Sequence, residues 1–119
     1  MRIIYVEDHD DLRTSFTRNF EDEGATMLTF AHADQALDAI PEFNPEGIIT
    51  DFDLGPRYMN GIGFVKKVRE MGLTIPIVML SGSDQRYLRE QLEGLDVLCV
   101  DKMERKNIEK TLAHLGHTS

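Results

Sequence analysis

The chain has no tryptophan, a single cysteine, four prolines and no long apolar run. One cysteine, Cys99, excludes an internal disulfide and points to a reducing compartment; its setting in "DVLCV" reads as strand core. Nine glycines and four prolines are too few for a fibrous or low-complexity chain, and 41% hydrophobic residues suffice for a packed core. Positive charge is scarce too, since 13 Lys and Arg face 21 Asp and Glu, for a formal net charge of -8. Such a surface repels phosphate backbones and anionic lipid, so direct binding to nucleic acid or membrane is not expected. The opening "MRIIYVED" has one basic residue and meets acids after a short apolar run, unlike a signal peptide or a membrane span, so the expected location is cytoplasmic.

What remains is a pattern. The length suits one domain, residues 1–119, with no separate effector domain expected inside it. Short apolar runs at 2–6, 26–30, 47–50, 75–80 and 96–100 read as buried strands. Between them, Leu12, Phe16 and Phe20, then Ala36, Leu37 and Ile40, then Phe64, Val65 and Val68, keep helical spacing. Leu88 and Leu92, and finally Ile108, Leu112 and Leu115, do the same. Asp10 and Ser83 read as helix caps, Gly24, Gly72 and Gly94 as stops, and Pro41 as the end of the second helix. Five alternating strand and helix pairs predict a doubly wound α/β domain with a parallel sheet covered on both faces.

In such sheets sites gather at the carboxyl ends of the strands. Here those ends carry Glu7 and Asp8, Asp51, Ser81, and Asp101 with Lys102. Carboxylates brought together repel unless a hard cation such as magnesium relieves them. A lysine and a hydroxyl across the cluster suit an incoming phosphoryl group, which makes Asp51 a candidate nucleophile.

With these residues the chain resembles the receiver domain of two-component response regulators, over essentially all of its length. The family's acidic pair matches Glu7 and Asp8 in "VED", its phosphorylated aspartate Asp51 in "GIITD", its Ser or Thr Ser81 in "IVMLSG", and its lysine Lys102. The resemblance implies a flavodoxin-like (βα)5 fold with a five-stranded parallel sheet in the order 2-1-3-4-5. It also implies transfer from a histidine kinase or histidine phosphotransfer protein onto Asp51, with Mg2+ (or Mn2+) held by Asp8, Asp51 and a backbone carbonyl near Asp53. Glu7 would act mainly through water, and Ser81 and Lys102 would engage the phosphoryl group. The chain would be a signalling phosphoacceptor and not an enzyme, switching a surface of its last two helices and fifth strand for a downstream protein partner or a homodimer.

The chain departs from that family in three places. Gly61 stands two residues further from Asp51 than the family's turn glycine, and Asp53 is the alternative nucleophile if the third strand ends later. Cys99 stands where the family often carries an aromatic switch residue. Met103 replaces a proline that follows the lysine in a cis linkage; a trans bond is expected, with a rearranged loop that displaces Lys102. Two rival readings are a degenerate receiver acting as a phosphorylation-independent interaction module, and a haloacid-dehalogenase-like phosphohydrolase suggested by "DFDLG". Order counts against the latter, whose aspartate pair normally ends the first core strand. His9, His32, His114 and His117 read as solvated surface, Lys66, Lys67 and Arg69 as a solvated basic face, and residues 103–106 as the opening of the last helix.

Overall fold

The computed structural model describes residues 1–116. Five strands alternate with five helices: β1 (Arg2–Val6), α1 (Asp10–Asp22), β2 (Thr26–Phe30), α2 (Ala33–Phe43), β3 (Gly47–Thr50), α3 (Gly61–Glu70), β4 (Ile77–Ser81), α4 (Gln85–Gln91), β5 (Val97–Asp101) and α5 (Asn107–Leu115). All strand pairs are parallel, in the order β2-β1-β3-β4-β5, which is the flavodoxin-like α/β arrangement expected. Val6 pairs with both Phe30 and Thr50, Thr50 with Met79, and Ser81 with Asp101, so the strands finish along one edge.

The alternation of side chains along each strand divides the core in two. Ile4, Val6, Ile48, Ile77 and Met79 pack against Ala36 and Ile40 of α2, Phe64, Val65 and Val68 of α3, and Leu88 of α4. Ile3, Tyr5, Ile49, Val78 and Leu80 face the other way, onto Phe20 of α1 and Leu112 and Leu115 of α5. Each fully buried aliphatic or aromatic side chain contributes roughly 1.5–3 kcal/mol relative to exposure, so this double layer is what holds the strand ends in place. Tyr5 meets Phe16 and Phe20 edge-on, with centroids 6.4 and 6.1 Å away. No described helix is long and apolar enough to cross a membrane.

Several local expectations are corrected. The first helix is capped by His9, whose Nδ1 accepts from Leu12 N at 3.3 Å, while Asp10 and Asp11 fill the first turn, where acids suit the helix dipole. The fourth is capped by Asp84 in place of Ser83, its Oδ1 accepting from Arg86 N at 2.9 Å. Pro41 lies inside α2, which runs on to Phe43 and stops at Asn44 in a left-handed conformation. β4 starts at Ile77, after Pro76, which lacks a donor N–H but whose carbonyl accepts from Ile48 N at 3.1 Å. Residues 103–106 form turns, and the last helix begins at Asn107.

Arg69 is not part of a solvated face. Its guanidinium donates to the carbonyls of Leu73 (2.9 Å), Ile75 (2.8 Å), Leu95 (2.9 Å) and Asp96 (3.1 Å), tying the α3–β4 and α4–β5 links together at the edge opposite the strand ends. Lys66 and Lys67 are exposed, as expected. His117 lies outside the described residues.

Candidate functional site

The link from β3 to α3 spans ten residues and is fixed from both sides. Asp51 N donates to Val6 O at 3.0 Å, continuing the sheet one residue past β3, and the Thr50 hydroxyl donates to Asp51 O at 2.8 Å. Leu54 is fully buried in the core although it lies in the link. At the far end Gly61 N donates to Phe52 O at 2.7 Å, and Asn60 caps α3 through Gly63 N. A Cβ on Gly61 would sit 2.1 Å from Asp51 O, so only glycine lets α3 begin this close to the aspartate.

At that edge Glu7, Asp8 and Asp51 each offer a carboxylate oxygen within 4.8 Å of the others. Glu7 is wholly buried; its Oε2 accepts from His9 N at 3.2 Å, and Arg13 donates to its backbone carbonyl at 2.7 Å. Asp51 is 6% exposed and Asp8 is open to solvent. Lys102 Nζ donates to Asp51 Oδ2 at 2.7 Å and to Glu7 Oε1. Burial raises the Glu7 carboxyl above its ordinary range, with the Lys102 hydrogen bond opposing. Burial pulls Lys102 down, but its hydrogen bonds to Asp51 and Glu7 outweigh this and hold the ammonium above its usual value. One ammonium among three carboxylates leaves an all-oxygen cluster with residual negative charge, a donor set that fits a hard divalent cation such as Mg2+ or Mn2+.

Lys102 is therefore not displaced. Its N donates to Ser81 O at 3.2 Å, and its carbonyl accepts from Asn107 Nδ2 at 2.7 Å. Asp101 Oδ1 accepts from Met103 N at 2.8 Å. These bonds hold the lysine backbone without proline, the peptide bonds of the described residues are all trans, and Met103 projects into solvent at 87% exposure. Ser81 is buried beside Lys102; its Oγ accepts from Ser83 N at 3.2 Å, and its carbonyl accepts from Gln85 Nε2 at 3.0 Å. Asp53 is turned into its own loop, its Oδ1 accepting from Gly55 N at 3.0 Å. Cys99 is half-buried against the α2–α4 side of the core.

Sequence reasoning did not anticipate three neighbours. Phe52 N donates to Asp51 Oδ1 at 2.7 Å, and the Phe52 ring meets Tyr87 of α4 edge-on, centroids 5.9 Å apart. His32, read as solvated, stacks on Tyr58. Arg13 could have been suspected from its place one turn beyond "VED", but its acceptor is a backbone carbonyl and leaves no mark in side-chain pattern.

Residues 3–112 match the family model described as the response regulator receiver domain. The chain is 28% identical over 102 residues to the alkaline phosphatase synthesis transcriptional regulatory protein PhoP of Bacillus subtilis (strain 168), covering 86% of this chain and 41% of that one. It is 31% identical over 103 residues to the alkaline phosphatase synthesis transcriptional regulatory protein SphR of Synechococcus elongatus, covering 81% of this chain and 39% of that one. The chain thus spans about two-fifths of the length of these curated relatives. Among solved structures, the Vibrio cholerae chemotaxis protein CheY4 superposes with a TM-score of 0.85 at 23% identity, covering 96% of this chain and 97% of that one. The isolated REC domain of RcsB from Salmonella enterica serovar Typhimurium, solved in the presence of the phosphomimetic BeF3-, gives 0.84 at 21% identity, covering 98% and 88%. At these identities the structural likeness is one of fold.

Proposed function

The chain belongs to the response regulator receiver domain family, and from that premise we propose that it accepts a phosphoryl group on Asp51 from a phosphohistidine of a histidine kinase or phosphotransfer protein. A carboxylate oxygen of Asp51 attacks phosphorus, the phosphorus–nitrogen bond breaks, and the released imidazole takes up a proton. The observation that carries the assignment is the different company kept by the two aspartates. Asp51 is buried with Lys102 and Glu7, whereas Asp53 is exposed and bonded to Gly55 within its own loop.

Glu7, Asp8 and Asp51, with a backbone carbonyl near Asp53, would hold Mg2+ or Mn2+. The bound cation would supply charge neutralisation for the approaching phosphoryl oxygens. Lys102 is poised to pair with the added phosphoryl oxygens, and the Ser81 hydroxyl to donate to one of them. Any shift of the Ser81 side chain toward the phosphoryl group is felt by Ser83, whose N–H donates to the Ser81 Oγ just ahead of α4, which gives the change a route to a protein-binding surface formed by the last two helices and β5. Cys99 has no ring to swing, so that readout does not run through position 99.

Intact-mass spectrometry after incubation with an acyl phosphate and magnesium tests the assignment. One added phosphoryl group is expected on the wild type and on Asp53→Asn, and none on Asp51→Asn or without magnesium. An adduct that survives Asp51→Asn would remove Asp51 as acceptor. If the folded protein shows neither adduct nor donor turnover, the reading becomes that of an interaction module independent of phosphorylation.

A further inference from the structure

Beside the acidic cluster, the rings of His32 and Tyr58 lie face to face, centroids 3.6 Å apart and 12° from parallel. His32 comes from the short β2–α2 link and Tyr58 from the long β3–α3 link. Tyr58 is 51% exposed, so its place is not set by burial in the core. Its N donates to Gly55 O at 3.2 Å, closing a turn. Gly55 has φ +104, and a Cβ there would meet Tyr58 Cδ2 at 3.1 Å and Asp8 Oδ2 at 3.9 Å. The Gly55 backbone therefore borders the Tyr58 ring and the Asp8 carboxylate at once. Leu54 anchors this segment in the core, and the stack anchors its rim to the neighbouring link.

We propose that His32 and Tyr58 are a positioning pair that holds segment 53–58 against Asp8 and thereby sets the affinity of the acidic cluster for a divalent cation. The inference rests on the cation reading above. A wall already ordered by the stack loses little conformational freedom when the cation binds; an unpinned wall must be ordered at that moment, and the affinity falls accordingly. Neither ring needs to touch the ion.

Magnesium chloride is titrated calorimetrically into the wild type, Tyr58→Ala, His32→Ala, the double variant, Tyr58→Phe and Asp8→Asn, at a temperature where circular dichroism shows all of them folded. Aromatic pairing of ordinary strength predicts an affinity loss of about threefold to tenfold in each alanine variant. The double variant is expected to lose no more than either single one, because the two rings act as a unit. Tyr58→Phe keeps the stack and is expected to bind like the wild type. Alanine variants that bind as the wild type does, losses that multiply in the double variant, or a Tyr58→Phe as weak as Tyr58→Ala would each overturn the pair's role and leave the cation reading standing. Absence of any wild-type binding that Asp8→Asn removes would defeat the cation reading, and this inference with it.

Discussion

Cys99 lies half-buried on β5, and burial raises its thiol above the ordinary value of 9.0, with Arg89 pulling the other way. The folded chain consequently holds this proton more tightly than the unfolded one. In the window from the ordinary to the raised value the folded state binds more protons, so this residue's contribution to stability falls as pH rises. Cys99→Ala is expected to lose that part of the alkaline slope in urea unfolding, and native Cys99 to be alkylated more slowly than a free thiol at mildly alkaline pH. At this scale the legible residues were those whose chemistry conflicts with their surroundings. Glu7, Asp51 and Lys102 stand out in sequence because charged groups at the ends of apolar runs need partners, and the structure brings them into contact. His32 and Tyr58 carry no such conflict. Each is an ordinary loop residue until two links, separated by α2 and β3, meet.

Among the elements, α3 shows how far a pattern reaches. Its apolar spacing identifies the helix and its buried face, and Phe64, Val65 and Val68 lie there. The spacing says nothing of Arg69, because the four carbonyls it binds belong to links whose paths depend on the finished sheet. Hydrogen bonds from a charged donor are worth more than neutral ones, so Arg69→Met, which removes four partly buried or exposed ones, is expected to cost about 2–3 kcal/mol in urea unfolding. Hydrogen exchange should quicken at residues 73–75 and 94–96 while the amides of β1 stay protected. Element ends were the least legible part for a related reason. Pro41 stands inside α2, two residues before its last helical residue, Phe43; it forfeits one backbone donor there without ending the helix, so proline alone misplaces the end. His9 and Asp84 won the caps because their side chains reach the free N–H groups, a matter of backbone angle and not of residue preference alone.

The whole molecule is acidic, with a formal charge of -8, and it concentrates three of those carboxylates at one edge. Folding therefore works against like-charge repulsion that a dication held there would relieve. Magnesium at a hundred times its dissociation constant is expected to stabilise the fold by about 2.7 kcal/mol, seen as a rise in thermal midpoint. Asp8→Asn is expected to melt higher than the wild type without magnesium and to lose the response to it; the reverse order would show that repulsion at this edge does not govern stability. The global arrangement was legible because alternating strands and helices admit few right-handed, doubly covered solutions. One contact in it spans nearly the whole chain, since Lys102 meets Glu7 across 95 positions. On a ribosome adding roughly 5–20 residues each second, all three acids are made seconds before the lysine that answers them. A nascent chain halted between β3 and β5 carries Glu7 and Asp51 without the ammonium that pairs with them, on an unfinished sheet. Glu7 and Asp51 gain the ammonium between them only when the chain has been made past its last strand, so this edge is completed by the last of its residues to emerge.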